Sequence, residues 1–394
     1  MREWPVGARS GAGMPSGEDP LLGTEHSAVT GERMRTAHLA VEVSGFGRHP
    51  QAWRRAGVPR EALLTPAHHI AAVQLAAQAG ADFVALPDSF GPDHLLDAVA
   101  IAARVAPAVP GVGLVPTVTT THTEPFHVSK AIATLDLVSQ GRAGWEPAVS
   151  RTAADAAQFG RKPAAPPAEL WREAAEAIEV VVRLWDSWED GAVIRDTATG
   201  RYVDRDRLHY IDFTGEFFSV KGPSITPRTP QGHPLVVVRE EPDSLPVAAR
   251  WADVVRISAP DLPAAHAARE RIRAAVADAG RDPDSVAVLL DVEFLLAVDE
   301  TTARRELDEL GELAPQTLRV VGAPDALVEV IAERAVDGIT AVPLALPGGL
   351  RVLADAVAPR LLETGLRVPA RPGDTLRHRF GLPRPANFYE GATA

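Results

Sequence analysis

The chain has 394 residues, with 40 basic and 52 acidic side chains and a formal charge of −12, so nucleic acid and anionic membrane surfaces are excluded as general partners. It contains no cysteine, which excludes disulfides, thiolate catalysis and Cys-ligated metals and is compatible with a reducing cytoplasm. No apolar run reaches the roughly 18 residues needed to span a bilayer. Residues 1–35 are rich in Gly, Pro, Ser and Glu and lack an apolar signal-peptide core, so they read as a disordered extension, with Met34 as an alternative start. From Thr36 onward short apolar runs alternate with amphipathic stretches. The pattern predicts strand His38–Val43, helix Pro66–Ala79 closed by Gly80, and strand Asp82–Leu86. Helix Leu95–Val105, strand Val112–Val115, helix Pro125–Leu137 and a fourth strand at Gly141–Trp145 follow. A long helix, Leu170–Trp188, precedes a break in the rhythm at 189–233, read as an insertion packed on the domain. The alternation resumes with strand Leu235–Val238, helix Leu245–Trp251, strand Asp253–Ile257 and helix Leu262–Ala279. Strand Val286–Val298, helices Thr302–Leu313 and Pro324–Arg334, strand Gly338–Leu344 and helix Leu350–Thr364 complete it, before a Pro-rich tail. Such alternation predicts a parallel sheet with crossover helices. Periodicity alone leaves a closed barrel and an open doubly wound sheet both standing.

No Walker loop, no dinucleotide-binding glycine fingerprint and no nucleophile elbow is present. The histidine groupings, His68-His69 and His122 with His127, lack the spacing of a metal site, and no metal is expected. Asp88 and Ser89 follow the second strand, where a barrel would place active-site residues; the competing reading of Asp88 is a helix-capping or turn residue. Thr117–Thr121 ends the third strand, and its hydroxyls either meet a planar heterocycle or cap the next helix. Trp145 and Glu146 end the fourth strand, Trp145 reading more readily as core.

Several ordered motifs resemble the bacterial-luciferase-like flavin monooxygenases, in the branch of the nitrilotriacetate and dibenzothiophene-sulfone monooxygenases. They are Gly47-Arg-His-Pro-Gln-Ala-Trp-Arg54, Thr117-Val-Thr-Thr-Thr-His-Thr-Glu-Pro-Phe-His127, Gly141-Arg-Ala-Gly-Trp145 and Ala157-Gln-Phe-Gly160. Further on come Gly215-Glu-Phe-Phe-Ser-Val-Lys-Gly-Pro223, Pro227-Arg-Thr-Pro-Gln-Gly232, Asp374-Thr-Leu-Arg377 and Gly381-Leu-Pro-Arg-Pro-Ala-Asn387. The resemblance runs from about Thr36 to Tyr389. It implies a single (β/α)8 TIM-barrel domain over 36–394, with FMN at the C-terminal ends of the strands. It also implies a two-component system in which a separate flavin reductase supplies reduced FMN for reaction with O2 and a small organic substrate. A homodimer is the default assembly. By position, Asp88, Thr120 and Thr121 match flavin-contacting regions, and Trp171 and Arg239 stand at the family's phosphate contacts.

The chain departs from the branch pattern at that site. Glu146 stands where Asn is usual, and Ala148-Val149-Ser150 replaces Val-Thr-Ser. Leu170-Trp171 replaces the usual Arg-Tyr. Arg239-Glu240-Glu241-Pro242-Asp243-Ser244 replaces an Ala-Gly-Ser-Ser-like turn whose small residues, amides and hydroxyls cradle the phosphate. Two like charges ~4 Å apart repel by ~4 kcal/mol at an effective dielectric near 20, so a Glu facing a phosphate opposes its binding. A second reading is therefore a flavin-free enzyme on the same barrel, using Asp88, His122, Glu146, Glu240 and Glu241 as acids or bases for cyclisation, isomerisation or elimination in a biosynthetic pathway. A third is a catalytically silent homologue serving as the subunit of an active partner.

Overall fold

The computed structural model describes residues 36–91 and 96–390. The expectations for residues 1–35, and the Leu95 start of the second helix, lie outside the described residues.

Eight strands form the barrel. They are β1 (His38–Glu42), β2 (Phe83–Leu86), β3 (Gly113–Thr119), β4 (Gly144–Ala148), β5 (Leu235–Arg239), β6 (Val254–Ile257), β7 (Ala287–Leu296) and β8 (Gly338–Pro343). Each pairs in parallel with its neighbour, and β8 pairs with β1 to close the ring. Closure decides between the two parallel architectures that periodicity left open. The added strand Arg319–Gly322 pairs with the C-terminal half of β7 alone. The fourth strand begins three residues later than the apolar run indicated. Gln140 and Gly141 end the preceding helix with positive φ, and pairing with β5 begins at Gly144 and Trp145.

Strand alternation sorts the side chains into two populations. Leu39, Val41, Val84, Leu114, Trp145, Val236, Val255 and Ile339 point outward into the core beneath the helices. Ala40, Phe83, Ala85, Val115, Leu235, Val237, Val254 and Leu289 fill the lower barrel interior, which Leu376 of the C-terminal arm plugs from below. The close fit explains Gly113: a Cβ there would lie 2.7 Å from the Leu376 side chain and 2.9 Å from the Asp82 carbonyl.

Long helices form where the sequence places them, including Pro66–Gln78, Pro125–Ser139, Pro167–Asp186 and Leu262–Asp278. The long helix starts at Pro167, ahead of Leu170, because proline is accommodated in a first turn that needs no amide donor. The insertion carries two small antiparallel hairpins, Val193–Asp196 with Arg201–Val203 and Phe213–Thr214 with Ser219–Val220. The helix expected over Leu350–Thr364 is divided: Gly348–Val352, a π-helical turn at Leu353–Val357, then Ala358–Glu363. No helix among the described residues is long and apolar enough to cross a membrane.

Candidate active site at the barrel mouth

Two residues up from the apolar layer, the inward positions of six strands become polar or charged: Glu42 on β1, Thr117 on β3, Glu146 on β4, Arg239 on β5, Arg256 on β6 and Asp291 on β7. Closure brings them to one level. Arg256 is fully buried and donates to Glu42 (2.6 Å), to Glu146 (3.0 Å) and, with two nitrogens, to both oxygens of Asp291 (3.0 Å each). Arg239 lies beside it in the β5–β6 register and donates to Asp291 (2.7 Å), Glu42 (2.9 Å) and Glu146 (3.4 Å).

The lattice therefore sets two guanidinium groups among three carboxylates, a formal sum of 2 − 3 = −1. Burial alone would raise the Glu42 carboxyl, but the two arginines outweigh it and hold its pKa at about 2. Burial works against the charge on Arg239, and the attraction of Glu146, Asp291 and Glu42 overrides it and raises its pKa. Glu146 Oε1 has the weakest partners, Arg239 and the Thr117 hydroxyl, both at 3.4 Å.

This lattice floors a cavity of about 450 Å³ at the C-terminal ends of the strands. Its walls include Asp88, Trp171, Glu240 and Glu241, so Glu146 and the two glutamates of the β5 turn face the same space. Asp88 lines the cavity, and its Oδ2 accepts from the Ala98 amide at the start of the next helix (2.8 Å), whose N-cap is Asp97. Trp171 is buried, and its indole Nε1 has no hydrogen-bond partner. Glu240 and Glu241 are paired outward with Arg271 and Arg151.

Other candidates stand apart from the cavity wall. Thr120 donates its hydroxyl to the Ala148 carbonyl (3.1 Å), and Thr121 accepts from the Ser150 amide (2.9 Å). Both brace the ends of β3 and β4. His122 is buried in an aromatic cluster, stacked on Phe159 at 4.7 Å and near Phe90, with neither ring nitrogen hydrogen-bonded. Burial lowers its pKa, and neighbouring Lys162 lowers it further. Among the described residues, no group of three or more His, Asp or Glu is placed to hold a metal.

Sequence reasoning missed Glu42, Arg256 and Asp291. A signal was present: an ionisable residue inside an otherwise apolar parallel strand has to find a partner inside the barrel.

A closed parallel barrel with a polar cavity at the C-terminal mouth defines a TIM-barrel enzyme. The model of the luciferase-like monooxygenase family matches residues 44–340, and the chain belongs to that family. It is 27% identical to the N-acetyl-S-(2-succino)cysteine monooxygenase of Bacillus subtilis (strain 168), over 89% of this chain and 98% of that one. It is 36% identical to nitrilotriacetate monooxygenase component A of Aminobacter aminovorans, over 61% of this chain and 53% of that one. In structure it is similar to the EDTA monooxygenase of Chelativorans sp. BNC1, with a TM-score of 0.81 at 24% identity, over 89% of this chain and 99% of that one.

Proposed function

We propose that the chain is a monooxygenase-class enzyme that acts on a small, polar organic molecule at the barrel mouth and lacks the family's grip on the flavin phosphate. The β5 turn carries this reading. The Glu240 amide donates to the Arg256 carbonyl (2.7 Å), that of Glu241 to the Ser244 hydroxyl (2.9 Å) and that of Ser244 to the Glu241 carbonyl (3.1 Å). Pro242 and Pro246 have no amide hydrogen to offer. These three amides and the Ser244 hydroxyl are engaged, and the turn sets two carboxylates, each paired with an arginine, at the cavity wall where a phosphate cradle needs small residues and free donors, so its residues do not fit a phosphate dianion.

The cavity supports the polar-substrate part. Its floor is an ionic lattice, where an apolar substrate would gain little from burial. Glu146 and Asp88 are the groups placed to orient a substrate. A reductase partner and a small-molecule substrate accompany this reading.

A second reading, flavin-free acid–base chemistry, is favoured by one feature. Glu146 has an under-satisfied oxygen facing the cavity while its other oxygen is anchored at 3.0 Å by Arg256, the arrangement of a positioned general base.

Anaerobic titration with reduced FMN and reduced riboflavin separates the readings. Comparable affinity for the two flavins, insensitive to added phosphate, supports the monooxygenase without a phosphate grip. FMN binding at least about tenfold tighter than riboflavin, a difference of about 1.4 kcal/mol, overturns it. Binding of neither supports the flavin-free reading.

A further inference from the structure

A second cavity, of about 290 Å³, lies at the opposite end of the barrel, where the C-terminal arm crosses the starts of β1 and β2. Its walls carry Arg367, Arg371 and Arg379 with His38 and His378, against Asp82 and Asp374. With both histidines neutral the formal sum is 3 − 2 = +1, in a chain whose total is −12.

Both carboxylates are already committed. Asp82 takes both its oxygens to Arg367 (3.1 Å each) and also accepts from the Leu39 amide (3.0 Å) and meets His38 (3.2 Å). Asp374 pairs with the His378 ring (2.7 Å) and accepts the Arg371 amide (3.0 Å).

Two guanidinium groups are left over. Among the described residues neither Arg371 nor Arg379 has a carboxylate within ion-pair distance. Arg379 is half-buried and makes one long hydrogen bond, to the Asp82 carbonyl (3.2 Å), while its Nε is buried without a partner. Its desolvation is large enough to lower its pKa, although Asp82 and Asp374 pull the other way. A partly desolvated cation with no directly paired carboxylate is unfavourable, and an anion in the cavity would relieve it.

We propose that this cavity is an anion-binding site for a phosphate-sized dianion, free or as a small phosphomonoester, held by Arg379 and Arg371. The positive cavity is a local exception on an acidic surface, so diffuse attraction cannot account for binding there. A ligand bridging the arm to the starts of β1 and β2 stabilises the native state by linkage.

The test uses the full chain at constant ionic strength set by sodium chloride. Inorganic phosphate and methyl phosphate are titrated by calorimetry, and the thermal midpoint is followed in parallel. The expected result is saturable one-to-one binding with a matching rise in midpoint. Arg379→Gln and Arg371→Gln should each weaken binding about tenfold or more, equivalent to about 1.4 kcal/mol. Arg151→Gln, at the barrel mouth, should leave the phosphate affinity unchanged and so places the binding at the arm. Because Arg371 is exposed, R371Q decides the matter if R379Q does not fold. Binding of methyl phosphate alone assigns the site to phosphomonoesters, and binding of both assigns it to the phosphate group itself. No saturable effect up to about 10 mM, an effect equalled by chloride, or binding undiminished in R371Q would overturn the proposal.

Discussion

Arg256 has no contact with solvent, so its charge is held by the three carboxylates around it, with Arg239 close by opposing it. Removing one member of a buried ion network leaves the others uncompensated, typically at a cost of about 3–5 kcal/mol. Arg256→Met should therefore lower unfolding free energy by about that amount, read from the urea midpoint. The acid limb of stability follows from Glu42. Its folded pKa, about 2, lies below the usual 4.5, so its contribution is complete above 4.5 and is lost as pH falls toward 2. Glu42→Gln should flatten the pH dependence of the thermal midpoint across that window. An unchanged acid limb would show that Glu42 does not carry it. Glu146 was legible from sequence as a departure at the end of a strand. Its partner Arg239 was legible as well, but Glu42, Arg256 and Asp291 were not, because each lies within or at the end of an apolar strand with no motif to mark it.

Among the elements, the insertion shows how one side chain holds a segment. Glu176 lies on the helix Pro167–Asp186, and its carboxylate accepts the amides of Glu216, Phe217 and Phe218 at 2.7–3.2 Å. Glu176→Ala would strip those three donors of their acceptor, and a charge-assisted bond of this kind contributes about 1.5–3 kcal/mol. The expected outcome is faster hydrogen exchange and proteolysis over 210–220, with exchange in the barrel strands unaltered. The sequence marked 189–233 as an interruption because its apolar period fails there. It could not show the Glu176 anchor, since a glutamate on an exposed-looking helical face carries no signal of a distant turn. The strand Arg319–Gly322 escaped notice for a related reason. It pairs with only half of β7, and its Arg319 is drawn inward by Glu293 (2.6 Å), so it lacks a continuous apolar run. Conversely, the single helix expected over Leu350–Thr364 is interrupted at Leu353–Val357, since the apolar spacing is helical on both sides and does not record a π turn.

For the whole molecule, the barrel interior is a stack of an arm plug, an apolar layer and a charged layer. The plug couples the C-terminal arm to the core. Leu376 is fully buried against the lower layer, and Leu376→Ala should cost about 2–5 kcal/mol by leaving a cavity under the barrel. A loss within experimental error would mean that the arm rests on the barrel without sealing it. By itself, the sequence determined the alternation of strand and helix, the insertion and the family, since each is written in local spacing and ordered motifs. Whether the sheet closed, which charges met and where the cavities lay were decided only by tertiary structure. Residues 42, 146, 239, 256 and 291 share one level because eight strands close in register. Residues 371 and 379 face the start of β1 because the arm folds back beneath it. Contacts of that range depend on the geometry of closure, which no stretch of local sequence contains.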